Sequence, residues 1–350
     1  MKPLSVLLRL LYGAGILFAL SSGSASQDAR PPDAPAPSVS AAPDFSNIRK
    51  LMEQGKTDDA ITELHAIEAR DPGAKGLSFE IGAAYYKKAD YPKAVEYLKQ
   101  AIASDAANSE ATQLLGLSYY LMGHPGDAIP LLERVQGWYP RANIDAAYIL
   151  GISYIQVKDY DHARKSFGKM FDVPGDSAAA YLFTARMLLR QEYDPIAEEY
   201  AEKAAALDPK LPLVHFLLGE LYTYKSRMPE AISEFQKELA INPANAATYY
   251  KLADAYSRIQ KYDDAERLLQ RSIWLDSNAT GPYILMGKVL EKKGEFDLAL
   301  RALQRAATMD PNNATTHHLL GQVYRDMGKK EQAEDELKTA EQLRTRQDAQ

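Results

Sequence analysis

The sequence predicts an all-helical solenoid, a stack of about nine helical hairpins filling most of the 350-residue chain. Three periodic series point there. Small residues (Gly82, Gly116, Gly151, Ala185, Gly219, Ala253, Gly287 and Gly321) recur every 34 residues, with a single step of 35. An alanine series (Ala60, Ala94, Ala128, Ala163, Ala197, Ala231, Ala265, Ala299, Ala333) keeps the same step. Prolines 72, 140, 174, 209, 243 and 311 form the third series, with Ala106 and Ser277 in its two gaps. Self-similarity at this length belongs to stacked repeats, in which one supersecondary unit buries its apolar face only against its neighbours.

Within a period, apolar residues fall three and four apart on both sides of a short polar break. Leu218-Gly219-Glu220-Leu221-Tyr222 followed by Ala231-Ile232-Ser233-Glu234-Phe235 is one example, so each period is a pair of helices. Nine pairs fit, at about 41–74, 75–108, 109–142, 143–176, 177–211, 212–245, 246–279, 280–313 and 314–347. In the first helix the small residue lets the two backbones approach without side chains between them. Tyr follows three residues later (Tyr85, Tyr119, Tyr154, Tyr222, Tyr256, Tyr324), with Leu188 and Leu290 as substitutes, which asks for bulk rather than a phenol. A turn is expected four residues further on.

The second helix carries the alanine, then a large apolar residue. It ends before Pro, because the residue preceding Pro avoids the α region. Pro92, Pro195 and Pro229 instead fall in the first turn of a second helix, where the missing N–H costs nothing. The first pair is degenerate, with Ile48 at the small position, and the 35-residue step near Arg141–Asn143 places one extra residue in a loop. The last second helix bears Glu334, Asp335, Lys338, Glu341 and Gln342, which makes it a polar cap, with fraying expected beyond Arg344.

Leu320-Gly321, Tyr324, Ala333, Leu337, Ala340 and, one period earlier, Pro311 resemble the signature of the tetratricopeptide repeat. The resemblance implies a right-handed α-solenoid whose first helices line a concave face that binds proteins or peptides. Members that hold a chaperone's C-terminal carboxylate use Lys and Asn at particular groove positions. Here the corresponding places are mostly aromatic, aliphatic or mixed, which argues against that ligand.

The N-terminus reads differently. Lys2 and Arg9 precede a short apolar run, Leu10–Leu20, that exits through Gly23-Ser24-Ala25, the pattern of a secretory signal over residues 1–25. That run is shorter than the ~20 residues of a membrane-spanning helix. Cleavage is the expectation, with an uncleaved anchor as the alternative. Residues 26–43 are a Pro/Ala/Ser-rich linker expected to be disordered, and 44–347 form the repeat solenoid. The chain would thus be exported, periplasmic or extracellular, without stable membrane insertion after cleavage. The absence of cysteine excludes a lipid-anchored lipoprotein, a disulfide framework and thiolate metal sites. The formal charge of −6, becoming −8 once Lys2 and Arg9 are removed with a segment that has no acid, argues against nucleic acid as the main partner.

No catalytic signature is present: no His-Glu-x-x-His, no phosphate-binding glycine loop and no Gly-x-Ser-x-Gly. His317-His318 is the one close histidine pair, and adjacent helical residues diverge by about 100°, too far to share a metal. Tyr160-Asp161 and Tyr262-Asp263-Asp264 read as turn and first-turn acids favoured by the helix dipole. Asn278 and Asn313, although in glycosylation-like triplets, read as helix-start residues. No catalytic residue, cofactor or metal is expected.

On the first helices, the positions three before the small residue and one, four and five after it share a side. They yield a candidate peptide-binding groove of Phe79, Tyr86, Tyr120, Tyr148, Arg186, Arg190, Phe216, Tyr224, Tyr250 and Arg258, grading from aromatic to charged along the chain. In the pairs 85–86 and 119–120 the first Tyr should be core and the second should face the groove. The function expected is a non-catalytic, mainly monomeric scaffold that binds an extended peptide or helix, since aromatic and Arg side chains are the usual interface anchors. Competing readings are an assembly or secretion factor acting through its ends, an accessory subunit of an envelope enzyme, and a stripe buried by superhelical curvature.

Overall fold

A computed structural model describes residues 44–138, 144–190 and 194–348. The expected signal segment, the linker and the extra loop residue lie outside the described residues. Among those described there are eighteen helices and no strand. They pair as α1 (Ser46–Glu53) with α2 (Thr57–Glu68), α3 (Leu77–Lys87) with α4 (Tyr91–Ser104), and α5 (Ser109–Leu121) with α6 (Pro125–Trp138). Then come α7 (Ile144–Gln156) with α8 (Tyr160–Met170), α9 (Ala178–Arg190) with α10 (Asp194–Leu207), and α11 (Val214–Tyr224) with α12 (Met228–Ile241). The last pairs are α13 (Ala246–Arg258) with α14 (Tyr262–Leu275), α15 (Thr280–Lys292) with α16 (Phe296–Met309), and α17 (Ala314–Asp326) with α18 (Lys330–Asp348). The chain divides into two compact blocks, the first ending at Ala180 and the second starting at Tyr181, a boundary inside α9.

Steric fit within each hairpin explains the small residue. A Cβ added at Gly82 would lie 2.7 Å from Leu98 Cγ, one at Gly219 2.5 Å from Phe235 Cε1, and one at Gly321 2.7 Å from Leu337 Cγ. Leu98 and Phe235 are wholly buried, so neither has room to retreat.

The turn between the two helices has its own rule. Gly55, Gly123, Gly294 and Gly328 have φ of 77, 78, 79 and 75°, and at the equivalent turns Ala89, Lys158, Ser226 and Gln260 are held at 62, 63, 59 and 62°. The N–H of the next residue reaches back to the first helix, from Asp90 to the Tyr85 carbonyl at 3.0 Å and from Lys329 to the Tyr324 carbonyl at 2.9 Å. This left-handed cap satisfies carbonyls that the helix end would otherwise orphan. At the other junction, Asn108, Asn245 and Asn313 cap α5, α13 and α17 by accepting from backbone N–H groups at 2.9, 3.2 and 3.1 Å. Asn278 differs: Ala279 occupies the cap, and the Asn278 N–H donates to Asp276 Oδ1 at 3.0 Å.

The tyrosine series corrects the expectation that bulk alone matters. Each phenol reaches the preceding second helix about twenty residues upstream. Tyr85 Oη lies 2.9 Å from His65 Nε2, Tyr222 Oη donates to Glu202 at 3.2 Å, and Tyr154 donates to Glu133. Tyr256 and Tyr324 accept from Gln236 and Gln304 at 3.2 and 3.4 Å, and Lys99 Nζ lies 5.6 Å from the Tyr119 ring centroid. Burial, then Glu202, pushes the Tyr222 hydroxyl up to about 12. The phenols are cross-links between successive hairpins.

In the N-terminal block one apolar cluster runs from Phe45 and Ile48 to Leu115; in the C-terminal block another runs from Ala253 to Ala333. The last helix, with Glu334, Asp335, Lys338, Glu341 and Gln342 all exposed, continues to Asp348, beyond the expected fraying point. No described helix is long and apolar enough to cross a membrane.

Candidate functional site

In the N-terminal block the first helices are neighbours, α5 packing against both α3 and α7. Of the stripe expected there, Leu117, Ile152 and Ile155 are buried and belong to the core, whereas Phe79, Tyr86, Tyr120 and Tyr148 are half-buried. The Tyr86 ring lies 5.9 Å from that of Tyr91, and the Tyr148 ring 6.3 Å from that of the buried Phe167, both tilted. Each aromatic is thus seated by the hairpin beneath it and keeps part of its ring at the surface. Burial, then the proximity of Tyr148, raises the Tyr120 hydroxyl pKa; burial, then Tyr91, raises that of Tyr86. Tyr120 and Tyr148 stand on first helices that contact each other. Lys87, Leu121 and Gln156 stand exposed at the helix ends beside them.

The division within the tyrosine pairs is clean at 85–86, where Tyr85 is 7% exposed and Tyr86 half-buried. At 119–120 both members are half-buried: Tyr119 packs against the core cluster with the Lys99 ammonium over its ring, 5.6 Å from the centroid.

In the C-terminal block the expected residues diverge. Phe216 is a correction: it is 7% exposed and its ring packs edge-on against Phe235 at 5.9 Å, so it is a core residue. Tyr224 is 70% exposed, Arg190 is exposed and Arg186 is half-buried. Tyr250 is half-buried, its hydroxyl pKa raised by burial and then by Asp254. Arg258 Nε donates to Asp254 Oδ2 at 2.8 Å, and Lys251 Nζ meets Glu220 Oε1 at 3.0 Å between α13 and α11. On that face ion pairs stand among the single aromatics Tyr224 and Tyr250.

Two histidines the sequence left without a role occupy matching places. His215 sets Nδ1 2.6 Å from Glu234 Oε2 and Nε2 3.0 Å from the Pro209 carbonyl; His317 does the same with Glu336 and Pro311, at 2.6 and 3.0 Å. The repeated Asp-Pro with His seven residues after the Asp was the signal available for them. Among the described residues, no group of three or more His, Asp or Glu is placed to hold a metal.

Tetratricopeptide repeat models match residues 51–118 and 225–273, 195–246, and 314–346, and a TPR repeat model matches 287–328. The chain belongs to the tetratricopeptide repeat family. A further model, described as anaphase-promoting complex, cyclosome, subunit 3, matches residues 87–170 of this tetratricopeptide repeat protein. A curated relative, the human (Homo sapiens) intraflagellar transport protein 88 homolog, is 27% identical over 103 residues, 28% of this chain. The chain spans only 12% of that relative's length. Among solved structures, MamA is 22% identical and covers 47% of this chain and 97% of its own, with a TM-score of 0.44. YrrB, described as a TPR protein with an unusual peptide-binding site, is 24% identical and covers 51% of this chain and 93% of its own, also at 0.44. These TM-scores are too low to give any residue here a role.

Proposed function

We propose that this tetratricopeptide repeat protein is an exported, non-catalytic, monomeric scaffold that binds an extended polypeptide across the first helices of its N-terminal block. The observation that carries this reading is the row Tyr86, Tyr120 and Tyr148, half-buried on three successive first helices and flanked by exposed Lys87, Leu121 and Gln156. Aromatic rings already held by the core lose little side-chain freedom when a ligand covers them, so most of their buried area becomes binding energy. Spacing favours an extended chain, which can touch each helix in turn, whereas a single small molecule cannot. In the C-terminal block, exposed Tyr224 and Arg190 offer the same kind of anchor singly.

The test is selection of a displayed random-peptide library on the full chain, followed by affinity measurement of the enriched peptides. Tyr86→Ala with Tyr120→Ala is expected to weaken them by ~2 kcal/mol or more per anchor. Failure of any peptide to enrich, or enriched peptides indifferent to both substitutions, refutes the reading.

A further inference from the structure

On the other side of the same block, between α6, α7 and α8, lies a cavity of about 430 Å³ that the first-helix face does not use. Its α8 wall carries His162, Lys165, Ser166 and Lys169, spaced at three, four and seven residues and therefore on one face of the helix. Among the described residues neither lysine has an acidic partner within 4.0 Å, the ion pairs of α8 being made by His162 and Arg164. Leu150, Val173 and Pro174 supply an apolar wall. Gln136 lines the floor; it is 7% exposed, and its Nε2 has no hydrogen-bond partner. A buried amide N–H left unmatched is costly, and native folds keep few of them.

The acids nearby are already engaged. Glu133 accepts the Tyr154 hydroxyl, and Asp159 Oδ2 holds His162 Nδ1 at 2.8 Å while the His162 ring stacks on Tyr154 at 5.2 Å. Two lysines without an acidic partner, Ser166 and a Gln136 side chain with an unmatched amide nitrogen thus line one hollow together with Leu150, Val173 and Pro174. We propose that this cavity binds an amphiphilic organic carboxylate, its oxygens on Lys165, Lys169 and Gln136 and its hydrocarbon part against Leu150, Val173 and Pro174. Such a carboxylate comes either as a free short-chain acid or as the C-terminus of a peptide ending in an apolar residue. The site stands apart from the first-helix face, so either can fail without the other.

The experiment is calorimetric titration of the full chain with sodium hexanoate, with N-acetyl-leucine and with N-acetyl-leucinamide, repeated on Lys165→Gln, Lys169→Gln and Gln136→Leu. Saturable binding of hexanoate or of N-acetyl-leucine, at least tenfold weaker in each variant and at least tenfold weaker for the amide, is expected. Hexanoate binding alone points to a free acid and N-acetyl-leucine binding alone to a peptide terminus. Gln136→Leu removes the unmatched amide without opening space, so its fold should melt no lower than wild type, which separates loss of binding from loss of structure. Absence of saturable binding by both acids, equal affinity for acid and amide, affinity unchanged in the variants, or inorganic phosphate competing as well as either acid overturns the proposal.

Discussion

Replacing Gly219 by Ala adds one methyl group where a Cβ would sit 2.5, 2.6 and 2.8 Å from Phe235 Cε1, Cδ1 and Cζ. Three ring atoms at such separations force either the ring or the helices apart, and Phe235 is wholly buried in α12. Overpacking of this kind costs ~1–3 kcal/mol, against which the better helix propensity of Ala returns up to ~1 kcal/mol. A net loss of ~1–2 kcal/mol is expected. The same change at Gly126, in the first turn of α6, meets nothing within 4 Å and should be neutral or stabilising by up to ~1 kcal/mol. Phe235→Leu should rescue Gly219→Ala in part, because the resulting Ala–Leu pair is the one the chain uses at Ala253 and Leu269, both wholly buried. The assay is the urea midpoint of each variant and of the double mutant, with hydrogen exchange of α11 and α12 to place the loss in that hairpin. Gly219→Ala stabilising the chain as much as Gly126→Ala, or no coupling with Phe235→Leu, would refute close backbone approach as the reason for the 34-residue glycine series.

Other outcomes follow from the same geometry. Gln260→Gly should raise stability by ~0.5–1 kcal/mol, since a non-glycine residue at φ 62° pays a left-handed penalty that Gly escapes; a loss in the urea midpoint would contradict this. At His317 burial works against the charged ring, yet the bonds to Glu336 and the Pro311 carbonyl outweigh it and raise its pKa. A raised histidine contributes stability below its unfolded value of about 6.5 and loses it as pH climbs through the folded value, so wild type should lose more melting temperature from about pH 6 to about pH 8 than His317→Gln. Equal slopes would show that the pair is not charged. N-terminal sequencing of protein exported by its own cells should begin near Ser26; soluble cytoplasmic protein still starting at Met1 would remove the export proposal.

Much of the architecture was legible because the repeat imposes the same constraint many times over. Gly or Ala at one position, Ala at a second and Pro or its substitutes at a third each report a place where backbones meet or a helix must stop, and nine copies average away local ambiguity. The left-handed turn was also written in the chain, as Gly55, Gly123, Gly294 and Gly328 at the repeat spacing, but Ala89, Lys158, Ser226 and Gln260 masked it. The phenol cross-links were not legible, because their partners change chemistry from His65 to Glu202 to Gln236 and only position unites them. The first-helix stripe was read only in part. A helical projection places Phe216 and Tyr148 alike, yet the local packing against Phe235 takes Phe216 into the core while Tyr148 keeps an open edge. The cavity lined by Gln136 depends on how three helices and the loop after α8 meet, which no periodicity encodes.

The most direct test of the first-helix face measures peptide affinity and thermal melting side by side for Tyr86→Ala with Tyr120→Ala and for Tyr85→Ala, using a display-selected peptide and the full chain. Tyr85, 7% exposed and bonded to His65, should cost ~3–5 kcal/mol of stability when truncated, as large-to-small aromatic core changes do. The Tyr86 and Tyr120 pair, at ~2 kcal/mol per anchor, should lose peptide affinity by roughly a thousandfold while melting falls by less than it does for Tyr85→Ala alone. Peptide affinity unchanged in the pair, with melting lowered as far as by Tyr85→Ala, would mean that these rings serve the stack and that the ligand binds elsewhere.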